Sequence, residues 1–441
     1  MRRTSSAVLG AIALFCLFPE ASQAQDQPLS EILTSLYTTQ NPLILANNNH
    51  AAHFASASTT SFANTAALLN KNISYQLSSF PLGSSSGGFT FTLDESLGTL
   101  NRTTDSFGPL FAERALTSGR GKLTLGSSYL HSTYDKFEGK ELSGGEIHTT
   151  LQHVDIPTID SHFEGDLIDA AFRLDLKTDT FAMFANYGVT DRLDVGVVVP
   201  LQRVEMNAQI DLTILNQATS GDAVPSHIFS NGTLHETRTD GGDASGIGDV
   251  VLRAKLGLAQ GDWGGFAAAV DVRLPTGDAA DLLGTGSTQV KGFLIASGGK
   301  SRFSPHLNAG YTFTGDSDEF GVLPDEINYA GGFDAALSSR LTLNADVVGR
   351  ALLDAERLVD TDTTYFYRTA SDPVGTRRTV TRTEITSAGE TGTLNLLFAA
   401  LGLKFNPTGR LLISGNLLIS LSKDNGLQDM LTPVIAIDYN F

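Results

Sequence analysis

The sequence predicts an all-β fold: a transmembrane antiparallel β-barrel of about 12 strands, or about 14 with one extra hairpin, after a partly helical, plug-like N-terminal segment. Two observations predict the barrel. Apolar and polar residues alternate through successive runs of ten or more residues, as in strands with one apolar face. The turns between these runs alternate between short and long, the plan of an outer-membrane barrel with short periplasmic turns and long outer loops. Both observations hold over residues 119–441, which bounds the expected barrel domain.

The first 24 residues have the layout of a secretory signal peptide. Arginines at the start precede a short apolar run over residues 7–18, and small residues end at Ala24, near which cleavage is expected. Cys16 is the only cysteine, so the mature chain is expected to be held by backbone pairing and packing alone. We therefore expect export to the bacterial outer membrane.

Composition excludes several classes of protein. The chain has 441 residues, with 48 acidic and 30 basic residues, for a formal net charge of −18. This balance argues against a nucleic-acid partner, which would need a basic face. The mean hydropathy of −0.01 fits neither a disordered tail nor a polytopic helical membrane protein. After residue 24 no apolar stretch reaches 18 residues, so transmembrane helices are not expected.

Two runs in the middle of the chain show how the expected strands divide their residues between lipid and lumen. Apolar side chains occupy the even positions from 252 to 258 and from 266 to 274, and charged side chains occupy the odd positions. A soluble β-sandwich also alternates, but its inner face would lack charge. The candidate lumen residues in these runs are Arg253, Lys255, Asp271 and Arg273.

The end of the chain gives the direction of the barrel. Residues 431–441 alternate and finish with Phe441, which resembles the C-terminal signal that the barrel assembly machinery recognises in bacterial outer-membrane proteins. Counting strands back from this end places the first strand near Lys122, so both ends of the barrel lie on the periplasmic side. The expected partners are outer-membrane lipid and the assembly machinery. The expected long outer loops are 136–164, 216–245, 277–287, 315–325 and 365–390.

Residues 25–118 do not follow the barrel pattern. Helical spacing of apolar residues appears over 29–36 and 62–69, and short strands are expected over 73–80 and 87–93. Three interpretations remain open: a periplasmic domain, an extra hairpin, or a plug in the lumen. The plug is favoured.

Three motifs carry a family resemblance. They are residues 245–256 (SGIGDVVLRAKL), 270–278 (VDVRLPTGD) and 283–290 (LGTGSTQV). The chain resembles the outer-membrane transporter family linked to the meta-cleavage pathway of phenol degradation, whose general plan is similar to the long-chain fatty-acid transporter barrels. The resemblance covers roughly residues 165–441, and residues 80–114 look like the corresponding N-terminal region of some members. It implies passive passage of small hydrophobic or aromatic compounds.

Two neighbouring runs change their apolar face partway along. In the first run the apolar residues move from even to odd positions around residues 178–180, at Asp179. In the second run they move from odd to even positions at Gln202, just after Pro200. A one-residue change of phase predicts a β-bulge, and proline cannot donate to a ladder. Two such bulges side by side would open a gap in the barrel wall, through which a hydrophobic solute could enter the bilayer sideways. The alternative is a pair of ordinary rim bulges that only bend the strands.

Beyond these positions both runs carry charges that we expect to face inwards. They could line a selectivity constriction, or they could neutralise each other in ladders. The residues are Asp169, Arg173, Asp175, Lys177, Arg203 and Glu205.

The search for catalytic chemistry yields little. No nucleophile motif is present, and no histidine pair has the i, i+4 spacing of a helical metal site, so no enzyme activity, metal or cofactor is expected. The function expected from the sequence is passive outer-membrane transport of small hydrophobic or aromatic compounds. The alternatives are a general diffusion porin and a surface-interaction barrel that displays its long outer loops.

Overall fold

The computed structural model describes residues 27–38, 58–78, 91–94, 99–102, 105–153, 165–218, 227–261, 263–298, 302–369, 371–373, 375–423 and 425–441. The predicted signal peptide, residues 1–24, lies outside these residues. Within the described part of the chain, no helix has the length and apolar character that a membrane-spanning helix needs.

In the described part of the chain, helical residues near the N-terminus are followed by strands. A 3₁₀ turn at Leu29–Glu31 leads into helix α1 (Ile32–Thr38), and helix α2 comprises Ser58–Ser78. The strands are β1 (Phe91–Asp94), β2 (Thr99–Arg102), β3 (Leu123–Tyr134), β4 (Lys136–Phe137), β5 (Lys140–Glu141), β6 (Ile147–Gln152), β7 (Leu167–Gly188), β8 (Leu193–Leu215), β9 (His235–Ile247), β10 (Val251–Gly261), β11 (Gly264–Arg273), β12 (Gln289–Gly298), β13 (Phe303–Thr314), β14 (Asp325–Ala336), β15 (Leu341–Tyr367), β16 (Arg378–Phe405), β17 (Leu411–Ser420), β18 (Leu427–Gln428) and β19 (Leu431–Asn440).

Twelve of these strands close into an antiparallel barrel. Their order around the barrel is β3, β19, β17, β16, β15, β14, β13, β12, β11, β10, β8 and β7, and β7 pairs with β3 again. Closure gives each membrane-spanning strand a neighbour on both sides, so no edge is left unpaired in lipid. The predicted barrel of about 12 strands, beginning near Lys122, is confirmed.

The two faces of the barrel wall have opposite character. Side chains on the outer face are large, apolar and exposed, and those on the inner face are polar and buried. The exposed set includes Leu252, Leu256, Phe266, Val270, Leu294, Leu307 and Phe313. The buried set includes Lys255, Ser304, His306, Asn308, Asp334, Asn344 and Lys404. This is the reverse of a soluble protein and matches a wall between lipid and a polar lumen.

Four strands continue beyond the lipid-facing band on the outer side, opposite the short turns. The far half of β7 pairs with β6, and the far half of β8 pairs with β9. Strands β15 and β16 form a second extension, which pairs as far as Tyr367 and Arg378. These extensions surround a vestibule above the lumen.

Helices α1 and α2 fill this vestibule. Their apolar residues form one cluster with the inward-facing side chains of β7 and β8. The cluster includes Leu33, Leu36, Leu69 and Ile73 from the helices, and Phe172, Leu176, Met206 and Ile210 from the strands. The inner face of the far half is apolar because helices, and not water, lie against it.

The pair of bulges predicted at Asp179, Pro200 and Gln202 is not found between β7 and β8. Strands β7 and β8 pair without a register shift from Leu167↔Leu215 to Gly188↔Asp194. Even-numbered side chains face inwards along both strands. The environment changes instead: apolar residues lie outside where lipid is the neighbour and inside where the helices are. The wall between β7 and β8 therefore has no gap.

A register shift does occur on the other side of β8. Leu201 pairs with Ile247 in β9, and Val198 pairs with Val251 in β10, which leaves one extra residue between β9 and β10. The backbone N–H of Gly248 donates to the carbonyl of Pro200 at 2.8 Å at this point. Pro200 thus borders an irregularity that lies in the strand opposite it.

Candidate functional site: the lumen and the N-terminal residues inside it

Residues 105–118, here called the inner segment, run across the lumen towards the start of β3. Their backbone is bonded to inward-facing side chains on β8, β12, β15 and β16. The bonds join Phe107 N to Thr342 Oγ1 at 3.1 Å, Pro109 O to Lys404 Nζ at 2.8 Å, Ala115 N to Ser297 Oγ at 3.0 Å and Ser118 N to Asp194 Oδ2 at 2.9 Å. Since β15 and β16 are neighbours while β8 and β12 lie apart from them, the inner segment is held from three separate parts of the wall.

The turn at Gly108 shapes the inner segment. Its φ of +65° is a conformation that glycine adopts easily and other residues rarely do. The side chain of Arg114 folds back over it and would lie 3.4 Å from a Cβ there. Arg114 is buried and pairs with Asp334 of β14 at 2.7 Å. The pair ties the inner segment to the wall by charge-assisted hydrogen bonds.

Glu113 is the centre of a second charged cluster. Its carboxylate contacts Arg253 Nη1 at 2.5 Å and Lys255 Nζ at 3.4 Å. Arg253 in turn makes two bonds to Asp271, both at 2.6 Å. Three of the four candidates on β10 and β11 therefore meet at the inner segment, in a network of alternating sign.

Helix α2 and the outer loops cover the lumen from the other side. Ser74 donates to the carbonyl of Gly284 at 2.9 Å, and the Tyr75 hydroxyl donates to the carbonyl of Pro324 at 2.9 Å. Lys71 pairs with Glu356 of β15 at 2.9 Å. The helix is thus fixed by polar contacts to two loops and one strand, in addition to its apolar packing.

A cavity of about 120 Å³ lies in the lumen beside the inner segment. Phe111, Phe293, Val198 and Val251 supply much of its apolar surface. Its charged lining comprises the cations Arg253, Arg273, Lys291 and Arg350 and the carboxylates Glu113, Asp271 and Glu326. The cavity is therefore partly aromatic and has one positive charge in excess.

A second space opens through the side of the structure. This cleft of about 450 Å³, here called the side cleft, is lined by Tyr75 of α2 and by Tyr311 and Phe313 on the outer face of β13. Its charged lining residues are Lys71, Asp316, Asp325, Asp354 and Glu356. Its rim includes Val322, which is 70% exposed. The guanidinium of Arg350, in the lumen cavity, lies 5.9 Å from the centre of the Tyr75 ring. Tyr75 therefore lies between the side cleft and the lumen cavity.

The other six lumen candidates lie on the outside of the structure. They occupy odd positions of the far halves of β7 and β8, beyond the lipid-facing band, and form a ladder of ion pairs. Lys177 pairs with Asp175 at 2.9 Å, and Arg203 pairs with Asp243 at 3.4 Å. Asp169 contacts Arg382 at 2.8 Å, and Arg173 contacts Asp211 at 3.2 Å, while Glu205 lies opposite Lys177. The structure does not bring these residues to the lumen.

Sequence reasoning missed several residues of the lumen. Lys291 and Gln289 follow the same alternation as Phe293 on β12, so periodicity could have found them. Glu113 and Tyr75 carry no local signal, because their partners are remote in the sequence. In the part of the chain that the structure describes, no group of three or more His, Cys, Asp or Glu side chains could hold a metal ion.

Comparisons with known proteins find similar solved barrels and a family model that matches part of the chain. An outer membrane channel from Pseudomonas putida F1 is similar, with 13% sequence identity and a TM-score of 0.42, and the match covers 74% of this chain and 98% of that one. A FadL homologue from Pseudomonas aeruginosa has 11% sequence identity and a TM-score of 0.32, with coverage of 73% of this chain and 90% of that one. The toluene transporter TbuX from Ralstonia pickettii has 13% sequence identity and a TM-score of 0.29, with coverage of 74% of this chain and 91% of that one. A search of curated proteins found no match. Residues 164–348 match the family described as "Putative MetA-pathway of phenol degradation", and the resemblance inferred from the sequence is confirmed over that part of the chain.

Proposed function

We propose that this chain is an outer-membrane transporter that carries small hydrophobic or aromatic compounds passively, and that its N-terminal residues close the lumen at rest. The observation that carries the proposal is the apolar vestibule. The inward faces of β7 and β8 present a continuous apolar surface to α1 and α2 along the far halves of these two strands.

An apolar vestibule suits an apolar solute. A diffusion porin keeps a polar interior because it passes water and hydrated solutes. Here Phe172, Leu176, Met206 and Ile210 would face water if the helices left, at a cost of roughly 25 cal/mol per Å² of apolar surface exposed. A hydrophobic solute that replaced part of the helix surface would remove that cost. The vestibule therefore favours a solute with apolar surface over a sugar or an inorganic ion.

The side cleft supports a lateral route for the solute. An apolar molecule gains nothing by passing from an aqueous lumen into an aqueous periplasm, whereas lateral exit gives it direct access to the bilayer. The cleft joins the neighbourhood of Tyr75 to Phe313 and Val322, which are both exposed on the outer surface. In this proposal Tyr75 separates the lumen cavity from the cleft, and movement of α2 opens the route. The lateral path thus lies near β13 and β15, and not between β7 and β8.

Two transport assays test the proposal. In the first, a Gram-negative host without aromatic channels expresses the protein, and uptake of radiolabelled toluene by intact cells is measured. In the second, proteoliposomes that contain the purified protein are tested for swelling in arabinose. We expect faster toluene uptake and no arabinose swelling. Rapid arabinose swelling without faster toluene uptake would favour a diffusion porin and contradict the proposal.

A matched pair of variants tests the lateral route. Val322→Trp places a bulky ring at the rim of the side cleft, and Val195→Trp places the same ring on the lipid face of β8, away from the cleft. We expect V322W to slow toluene uptake several-fold and V195W to leave it unchanged. Equal rates in the two variants would contradict the lateral route, while leaving transport itself intact.

A further inference from the structure

Two cations in the lumen cavity differ from the others. Arg253 and Arg350 are paired with carboxylates, Arg253 with Glu113 and Asp271, and Arg350 with Glu326. Among the residues that the structure describes, Arg273 and Lys291 have no carboxylate at ion-pair distance, although both line the cavity. Unpaired cations facing an enclosed space are costly unless a counter-charge binds there.

Strand register places these two cations around a third donor. Arg273 of β11 lies directly opposite Gln289 of β12, and Lys291 follows Gln289 by two positions on the same inward face. Asp271 lies opposite Lys291, but both of its oxygens are bonded to Arg253 at 2.6 Å. In the described part of the chain, the buried Nε2 of Gln289 has no hydrogen-bond acceptor. Three donors therefore face the cavity side by side, and none of them has an acceptor among the described residues.

The rest of the cavity is suited to an aromatic ring. Phe111 and Phe293 line it, and the Nζ of Lys291 lies 4.8 Å from the centre of the Phe293 ring. The volume of about 120 Å³ is close to the roughly 150 Å³ that suffices for benzene in a protein interior. The charged side chains that line the cavity are four cations and three carboxylates.

We infer that Arg273, Gln289 and Lys291 form a binding site for the carboxylate of a small aromatic acid, with its ring against Phe111 and Phe293. A carboxylate can accept two parallel bonds from the Arg273 guanidinium, while Lys291 and the Gln289 amide donate to the remaining lone pairs. This inference rests on the proposed transport function and adds small monoanionic aromatic acids to the aromatic compounds that the lumen can bind.

Benzoate binding to the purified, detergent-folded protein tests the site. Isothermal titration would compare benzoate with benzyl alcohol, which lacks the charge, and with formate, which lacks the ring. We expect benzoate to bind at least about tenfold more tightly than either, since only benzoate offers both the charge to the three donors and the ring to the two phenylalanines. Equal binding of benzyl alcohol would overturn the anion site, and equal binding of formate would overturn the aromatic part.

Three variants locate the binding. Arg273→Gln and Lys291→Gln should each weaken benzoate binding by about tenfold or more. Lys177→Gln, on the outer ladder, makes the same change of charge away from the lumen and should have no effect. Folding of each variant would be checked by heat-modifiable migration on gels, and Lys291→Arg should retain binding if Lys291→Gln loses it. Loss of binding in K177Q to the same extent would overturn the assignment.

The outcomes separate this inference from the proposed function. Toluene uptake without benzoate binding would overturn the acid site and leave hydrophobic transport in place. Benzoate binding that depends on Arg273 and Lys291, in a protein that does not speed the uptake of any aromatic compound, would support the site and contradict transport.

Discussion

Asn308 of β13 bonds both backbone polar groups of Glu113: its Oδ1 accepts from the N–H at 2.6 Å, and its Nδ2 donates to the carbonyl at 2.9 Å. One side chain on the wall thus fixes the backbone of the residue whose carboxylate contacts Arg253 and Lys255. The inner segment is held at this point by both its backbone and its charge.

The first prediction concerns this attachment. Glu113→Ala removes the shared acid and leaves Lys255 with the carbonyl of Arg114 at 3.4 Å and the carboxylate of Asp194 at 3.8 Å. Removal of one partner from a buried ion pair costs roughly 3–5 kcal/mol. We therefore expect the inner segment to detach for part of the time, and single-channel recordings in planar bilayers to show openings that the unchanged protein lacks.

Asn308→Ala should have an effect of comparable size in the same direction. It leaves two backbone groups without partners, at roughly 1–3 kcal/mol for each buried group that remains unsatisfied. The control is Asn231→Ala, in an outer loop where the asparagine bonds Thr233 and His235. If E113A and N308A record like N231A, the inner segment is not what closes the pore.

The second prediction concerns the outer ladder. Lys177 and Glu205 lie on the outer face beyond the lipid-facing band, so ions in the lumen should not sense them. Lys177→Ala and Glu205→Ala should leave the conductance and reversal potential of opened channels, such as those of E113A, unchanged. Stability should change by no more than about 1 kcal/mol, as for exposed ion pairs. A shift in reversal potential would contradict the outward placement.

The sequence was sufficient to predict the barrel because lipid imposes a simple rule on each strand. Alternation, turn lengths and the C-terminal strand each depend on local residues only. The same rule failed on β7 and β8. Their far halves have an apolar inner face because α1 and α2 pack against it. The sequence of one strand does not show whether lipid or another part of the protein covers its apolar face.

The candidate site was only partly predictable for a related reason. Periodicity gave the inward direction of Arg253 and Asp271, but not their common partner. Glu113 lies 140 residues before Arg253, and only the closed barrel brings them together. The distinction between paired and unpaired cations, Arg253 against Arg273, likewise depends on contacts between chain segments that no local pattern records.

The third prediction concerns pH and the tip of the β15–β16 extension. The bonds from Arg378 and from the backbone N–H of Thr369 hold the pKa of Asp372 well below its ordinary value of 3.8. A carboxyl with a depressed pKa stabilises the folded loop above its ordinary pKa, and this contribution is lost as pH falls through the depressed value. We expect a spin label at Ser371→Cys to stay equally ordered from pH 7 to about pH 4 and to become mobile below it.

The matched variant for this prediction is Asp372→Asn in the labelled protein. The amide cannot ionise, so the label should be mobile at every pH. Mobility with the same pH profile in both proteins would assign the transition to another group.

The fourth prediction concerns the attachment of α2. Ile73 is fully buried between this helix and the vestibule wall, and replacement of a buried isoleucine by alanine costs roughly 2–5 kcal/mol. Lys71, two residues earlier, is the only lysine or arginine between residues 25 and 101. Trypsin can therefore cut this stretch of the chain only at Lys71, and only when the helix opens locally. We expect Ile73→Ala to speed that cut at least tenfold.

Asn64→Ala, on the exposed side of the same helix, should leave the rate of that cut unchanged because it removes no buried contact. Equal rates in I73A and N64A would mean that apolar packing does not hold α2 in the vestibule, and the proposed closing role of the helix would fail with it.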